Sequence, residues 1–204
     1  IRNTLRFLLG NLHDFDPVAA VAFDDLEPID RFILSRLADL AEGCLSAYEV
    51  YDFSTVSRRI REFCSEDLSG FYLDVLKDRL YCDPQNSRFR RAAQTALHHL
   101  LEHILFLISP ILPFTADEAW EAMPYRYQDR QGRLVEAVYQ PLNFPRSVGA
   151  GQGFEQILHI RREVNTALEK VRQSGQVGSS LAAQVRIRTS GAEYAALTSQ
   201  SDML

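Results

Sequence analysis

The stretch SRFRRAAQTALHHLLEHILFLISPILPFTADEAW, residues 87–120, predicts a long central helix and decides the fold class. Its apolar residues recur at steps of three and four, the spacing of one helical face. From Ile104 to Ile108 every residue is apolar, so this half should be surrounded by protein. Pro110 and Pro113 end the helix, because proline lacks an N–H and clashes with the preceding turn. At about 1.5 Å per residue, a helix over residues 87–109 would be roughly 34 Å long.

Helical patterns joined by short connections predict a helical bundle around this element. Residues 1–12, 28–48 and 67–79 carry apolar side chains at helical spacing, and another such pattern ends at residue 63. Ser54 is a suitable N-cap for that last pattern. After the prolines, Thr115 would begin one more helix, with Glu118 completing a capping box.

The remainder of the chain predicts a smaller unit of mixed structure. Residues 134–139 favour a short strand, and the Pro- and Gly-rich stretch 141–153 favours a hinge. A helix follows and stops at Gly175. Val185 and Ile187 then alternate with arginines, as in a strand, and residues 192–197 favour a last helix. We therefore predict a mainly α protein, with a helical domain over 1–147 and the start of a truncated small α/β piece over 148–204.

Composition and cysteine spacing argue against several broad classes of protein. A hydrophobic fraction of 46% suffices for a core, and no apolar run reaches membrane-spanning length. No basic-then-apolar leader opens the chain. The three widely spaced cysteines form no C-x-x-C pair, so they suggest neither a disulfide framework nor a zinc site. A cytoplasmic protein with reduced thiols is expected.

Charge alone does not identify a nucleic-acid partner, since the net charge is −5. Its distribution is uneven: residues 14–30 carry six acids and no base, and residues 155–190 carry six bases against three acids. Nearly all the positive charges are arginines, which suit bidentate phosphate contacts. A GC-rich genome would produce the same bias, so the bias decides nothing by itself.

No catalytic centre is indicated, and one metal pattern is weak. His99, Glu102 and His103 match the H-x-x-E-H spacing of some zinc proteases, which would place both imidazoles near one metal. The sequence suggests no third ligand, so histidines on a polar helix face are the better interpretation. No Ser, Cys or His lies in a nucleophile motif, and the glycines at 149–153 fit a linker better than a phosphate loop.

Surface arginines are the remaining candidates for binding chemistry. Phosphate neutralisation needs cations repeated along one face. The competing interpretation is a solvated face with i,i+4 pairs, such as Arg58 with Glu62, and spacing alone favours it. The arginines expected at the surface are Arg2, Arg6, Arg58, Arg59, Arg61, Arg88, Arg90, Arg91, Arg161 and Arg162.

Several segments closely resemble the C-terminal region of bacterial isoleucyl-tRNA synthetases. The residues that carry this resemblance are IRNTLRFLLGNLHDFDP (1–17), PIDRFILSRL (28–37), DLSGFYLDVLKDRLYCD (67–83), RRAAQTALHHLLE (90–102), SPILPFTADEAW (109–120) and REVNTALEKVRQSGQVGSSLAAQV (162–185). The segment PILPFTADEAW resembles a motif shared by the isoleucine, valine, leucine and methionine enzymes. The first and third segments favour isoleucine.

The resemblance implies an all-helical anticodon-binding domain followed by the start of a junction region. The family's His-Ile-Gly-His and Lys-Met-Ser-Lys-Ser signatures are absent from these residues, as are its editing domain and its C-terminal zinc module. The resemblance thus implies no cofactor and no catalysis here. It implies a parent ligase that uses ATP and Mg, often with a structural Zn beyond residue 204.

The resemblance also implies a tRNA partner, an isoleucine-accepting tRNA whose anticodon stem-loop this region would position. The catalytic domain of the same chain would be a second partner, with no membrane contact and a monomeric state. A helical protein–protein interaction scaffold without RNA binding is the alternative. Exposure and charge, rather than a family motif, select the expected RNA-binding residues: Arg2, Asn3, Arg6, Arg58, Arg59, Arg88, Arg91, Arg161 and Arg162.

Overall fold

The protein is described by a computed structural model that covers residues 1–123, 134–137, 139, 152–178 and 183–199. The chain divides into two compact units, Ile1–Ser147 and Val148–Leu204. The described residues are mainly helical, which confirms the predicted fold class. Within the described ranges, no helix combines the length and the apolar character needed to cross a bilayer.

The first unit is built around two long helices, α2 (Pro28–Glu49) and α6 (Arg88–Ile108). Pro28 occupies the first turn of α2, where its missing N–H would have no helical partner. The Ser87 side chain caps α6 by accepting from the backbone N–H of Arg90. The apolar run at the end of α6 is buried, as predicted, with Ile104 and Leu105 fully inaccessible. Helix α6 is the central element, because it packs against α2 and against the helices Arg2–Asn11, Phe53–Glu62, Lys77–Tyr81 and Pro113–Glu121.

Helix α1 (Arg2–Asn11) and helix α3 (Phe53–Glu62) cover this core. Leu5 and Leu8 of α1 are buried, which leaves the opposite face of that helix to solvent. Helix α3 is capped by Asp52, whose carboxylate accepts from the N–H of Thr55 at 3.0 Å. The prediction that Ser54 caps this helix is wrong, because the helix begins two residues earlier than its apolar stripe indicated.

A π-helical segment, Phe63–Tyr72, continues α3 without a break. The short helices α4 (Leu73–Val75) and α5 (Lys77–Tyr81) follow it. The sequence predicted a separate helix over 67–79. No proline ends the preceding helix, so the helix continues and its turns widen into the π-helical segment. A Cβ on Gly70 would lie 3.0 Å from the carbonyl oxygen of Ser65, so the wide turn leaves little room for a side chain.

Helix α7 (Pro113–Glu121) completes the first unit. It begins at Pro113, whose fixed φ suits the first helical position. Thr115 therefore lies inside the first turn and makes no cap, so the predicted capping box is wrong. The strand predicted over 134–139 is also wrong, since Leu134–Glu136 form a 3-10 turn. Most of the predicted hinge, 141–151, lies outside the described residues.

The second unit contains helices α8 (Gln152–Gln173) and α9 (Ala192–Ser199), which pack together. Helix α8 ends as predicted at Gly175, whose φ of 75° is the left-handed conformation that favours glycine. No strand is assigned among residues 183–190, so the predicted α/β piece is represented in the described part of the unit only by helices. A strand needs a neighbour to pair with, and alternation at 185–188 does not supply one.

Candidate RNA-binding surface

Helix α1 presents three of the predicted residues, Arg2, Asn3 and Arg6, on its exposed face. Arg2 does not point freely into solvent. Its Nη2 donates to both carboxylate oxygens of Glu118 on α7, each at 2.9 Å. The two side chains are 66% and 63% exposed, and ion pairs this exposed contribute little to stability. An RNA phosphate could therefore replace Glu118 as the partner of Arg2 at a small cost in free energy.

Two further predicted cations also form exposed ion pairs. Arg88, at the start of α6, lies 3.0 Å from the carboxylate of Asp25. Arg58 lies 3.1 Å from Glu62, which is the i,i+4 pair that the spacing indicated. Both arginine side chains remain more than half exposed. They can meet RNA only in competition with these acids.

Arg90 and Arg91 belong instead to an interior polar cluster around Asp14. Arg90 is buried, so the expectation that it lies at the surface is wrong. Its guanidinium donates to both oxygens of Asp14, at 2.6 and 3.1 Å. Arg91 donates to the Asp14 carbonyl and to the Gln94 side chain, at 2.8 and 2.7 Å. These contacts hold the loop after α1 against α6, which leaves neither guanidinium free for phosphate.

Exposed arginines without an acidic partner form a distinct group. Within the described ranges, no carboxylate oxygen lies within 4 Å of their guanidinium nitrogens, and each side chain reaches solvent. The members from the predicted set are Arg6, Arg59 and Arg162. Arg161, beside Arg162 on α8, is only partly exposed and makes other contacts.

Arg59 is placed by the packing of α3 against α2. Its guanidinium lies so close to the α2 backbone that a Cβ on Gly43 would collide with it. The neighbouring Cys44 thiol is buried, which raises its pKa to about 11 despite the opposing charge of Arg59. Because Gly43 has no side chain, the Arg59 guanidinium can lie directly against the surface of α2.

Further unpaired cations lie outside the set of residues predicted to bind RNA. Arg61 on α3 and Arg186 and Arg188 in the second unit are exposed and have no acid within 4 Å among the described residues. Arg186 and Arg188 border a cavity of about 400 Å³, whose wall on α8 includes Val164 and Leu168. Their alternation with Val185 and Ile187 was the available signal, but it was used only to predict a strand.

The histidine cluster on α6 differs from the predicted metal pair. The donor atoms of His98, His99 and Glu102 lie within 4.8 Å of one another. His103 is not part of this group, and its Nδ1–H donates to the His99 carbonyl at 2.9 Å. Burial and the neighbouring His103 lower the pKa of His99 to about 4, so this imidazole is neutral at physiological pH. Structural zinc sites use four protein ligands and catalytic sites three, so these three donors do not make a structural site.

Comparison with known proteins gives a consistent result. Residues 30–187 match the family described as the anticodon-binding domain of tRNA ligase. The chain is also similar to isoleucine–tRNA ligases: it is 45% identical to that of Burkholderia vietnamiensis, 44% to that of Burkholderia ambifaria and 46% to that of Paraburkholderia xenovorans. Each alignment covers 100% of this chain and 21% of the relative, so the chain spans about a fifth of the length of the curated relatives it matches. The resemblance stated from the sequence is confirmed.

Proposed function

Because the chain belongs to the family of anticodon-binding domains of tRNA ligases, we propose that it binds the anticodon stem-loop of an isoleucine-accepting tRNA. The parent ligase would join isoleucine to that tRNA with ATP and Mg, in the cytoplasm and as a monomer. The role of this region is to position the tRNA, and the catalytic and editing steps belong elsewhere in the parent. The 204-residue chain alone is expected to be inactive in aminoacylation.

The family match carries the proposal, and the distribution of unpaired cations supports it. Phosphate contacts fix the register of a protein on RNA, and unpaired loop bases are then recognised by edge contacts and stacking. Arg6 and Arg59 can make phosphate contacts without first breaking an ion pair. Arg162 offers the same property in the second unit. Asn3, a neutral donor and acceptor beside Arg2, suits a sugar or base-edge contact.

The paired arginines take a second place in the proposed interface. Each of them would contact RNA only when a phosphate replaces its acidic partner. The pairs are Arg2 with Glu118, Arg58 with Glu62, and Arg88 with Asp25. Arg91 belongs to the interior cluster around Asp14, so it is not among the proposed RNA contacts. Arg161 stays a proposed contact through its position on α8. The interaction-scaffold alternative is not favoured, because the matched family is defined by RNA binding.

Binding of two RNA pieces to the 204-residue chain tests this proposal. We expect a labelled anticodon stem-loop to bind at least about tenfold more tightly than an acceptor-stem hairpin of equal charge, because loop bases add contacts that a duplex hides. Fluorescence anisotropy at low salt measures both affinities. Equal affinities would reduce the interaction to non-specific charge attraction and would contradict anticodon recognition.

A further inference from the structure

Two adjacent histidines and a glutamate on α6 form a polar cluster that lies outside the proposed RNA interface. We call it the histidine–glutamate cluster, and define it as His98, His99 and Glu102. His98 is 2% exposed, and the Glu102 side chain is 14% exposed. Glutamate is almost never buried to this degree unless it is paired or bound to a metal. The cluster is therefore a candidate for binding chemistry.

The donor atoms of the cluster converge on one place. One nitrogen of each imidazole and one oxygen of the carboxylate all lie within 4.8 Å of one another. His98 Nε2 lies 3.7 Å from a Glu102 carboxylate oxygen, which is too far for a good hydrogen bond. Two ligand atoms about 2.0–2.1 Å from one tetrahedral ion would lie about 3.4 Å apart. The observed separation is therefore close to that of two ligands of one metal ion.

Helix geometry and packing produce this convergence. His98 and Glu102 are four residues apart, so their side chains are neighbours on the helix surface. His99 follows directly, and its ring centroid lies 5.3 Å from that of His98. The Phe15 ring packs against His98 with 5.6 Å between the centroids. The ring of His98 is therefore fixed by its surroundings before any ligand binds.

The donor set indicates which class of metal would bind. Imidazole suits Zn²⁺, Cu²⁺ and Ni²⁺, whereas Mg²⁺ and Ca²⁺ prefer oxygen ligands. Two histidines and one glutamate form a set of zinc ligands that leaves a fourth position for water. Burial and the neighbouring His103 lower the pKa of His99 to about 4, so its ring is neutral at physiological pH. The neutral ring is the form that binds metals.

The sequence pattern indicated a different pair of histidines. The H-x-x-E-H spacing would use His99 and His103, but His103 lies outside the converging group. His98, which is not part of that pattern, takes its place. His99 and Glu102 are each partly accessible, so the described residues do not seal the cluster from a small ion.

We propose that His98, His99 and Glu102 bind a single divalent transition-metal ion of the Zn²⁺ type, and that water fills the remaining coordination position. The ion would stabilise the folded chain, because the unfolded chain does not hold the three ligands together. The proposal is independent of RNA recognition, since none of its ligands belongs to the proposed RNA contacts.

Isothermal titration calorimetry with Zn²⁺ tests the proposal on the metal-free 204-residue chain. Every protein compared carries Cys82→Ser, since an exposed thiol is a competing zinc ligand. Glu102→Gln, which keeps the size of the side chain, should weaken binding at least about tenfold, because even residues that only orient a ligand contribute 10–100-fold. His13→Gln, which removes an exposed histidine, should leave the affinity unchanged. Equal affinities for the Glu102→Gln variant and its parent would overturn the proposal.

Imidazole nitrogen resonances identify the ligands in the protein with its histidines and Glu102 intact, so this result does not depend on the folding of a variant. Zn²⁺ should shift the ring signals of His98 and His99 in a two-dimensional NMR spectrum. The exposed His13 and His159 should keep their signals. Mg²⁺ should shift none of them. A missing shift at either His98 or His99 would overturn the three-ligand site.

Thermal unfolding measures the expected stabilisation. A free Zn²⁺ concentration of about 100 times the dissociation constant should raise the melting temperature by roughly 5–10 °C. The Glu102→Gln variant should show a clearly smaller rise at the same Zn²⁺ concentration. Equal rises would place the ion elsewhere and overturn the proposal. These measurements contain no RNA, so a failure of anticodon binding leaves their outcome interpretable.

Discussion

Replacing Asp30 with alanine is expected to lower the free energy of unfolding by about 3–5 kcal/mol, because it leaves a charged partner without its counterion in the interior. Asp30 is fully buried. Its carboxylate accepts two hydrogen bonds from the Arg79 guanidinium, at 2.9 and 2.7 Å, and one from the Tyr72 hydroxyl at 2.8 Å. Arg79 also donates to the Phe89 carbonyl at 2.8 Å. The cluster joins α2, the π-helical segment, α5 and α6.

Denaturant unfolding followed by circular dichroism measures the effect. A small protein has a total stability of about 5–15 kcal/mol, so the loss should also lower the expressed yield of folded protein. Asp74→Ala is the control, since Asp74 forms an exposed pair with Lys77 and should cost less than about 1 kcal/mol. Similar losses for the two variants would contradict the assigned role of the buried cluster.

Protonation of Asp14 is expected to destabilise the fold in acid. Its hydrogen bonds from Arg90 hold the pKa of this carboxyl well below the ordinary value of 3.8, against the opposing effect of burial. A further hydrogen bond, from the Gln94 side-chain amide at 2.7 Å, also lowers the pKa of Asp14. Since the unfolded chain binds the proton more readily, this stabilisation is complete above the ordinary pKa and is lost as the pH falls through and below it.

The Asp14→Asn variant isolates this contribution. At neutral pH the variant should be less stable than the wild type by about 3 kcal/mol, because Arg90 keeps its charge and loses its counterion. The difference should shrink as the pH falls below the ordinary pKa of 3.8, because the unfolded wild type then takes up a proton at Asp14 while the folded carboxylate stays ionised. Denaturant unfolding across this range measures it, with Asp25→Asn at an exposed pair as the control. A difference that does not change with pH would refute the linkage.

Helix positions could be predicted from sequence because their signals are local. The apolar run at Ile104–Ile108 identified the centre of α6 without any tertiary information, and Gly175 identified the end of α8. The π-helical segment was not predictable, since an extra residue per turn hardly alters an apolar pattern ten residues long. The prediction of a strand over residues 134–139 was wrong because a six-residue pattern does not distinguish a strand from an irregular turn.

Which arginines form ion pairs could not be predicted in the same way. Arg58 and Glu62 are four residues apart, and their ion pair followed from helix geometry. Arg2 pairs with an acid 116 residues away, and Arg90 with one 76 residues away. Only the fold brings such residues together. Sequence analysis could therefore identify exposed cations as a class, but the structure was needed to separate unpaired arginines from those that stabilise the bundle.

The salt dependence of stem-loop binding by the Arg6→Ala/Arg59→Ala double variant tests the central claim most directly. If both arginines neutralise phosphates, the slope of log affinity against log salt should be shallower than that of the wild type by roughly 1.5, because each lost contact removes about 0.7–0.9. Lys77→Ala, which removes a cation paired with Asp74, should keep the wild-type slope. Equal slopes for the double variant and the wild type would show that these guanidinium groups do not contact the RNA, and the proposed surface would be wrong.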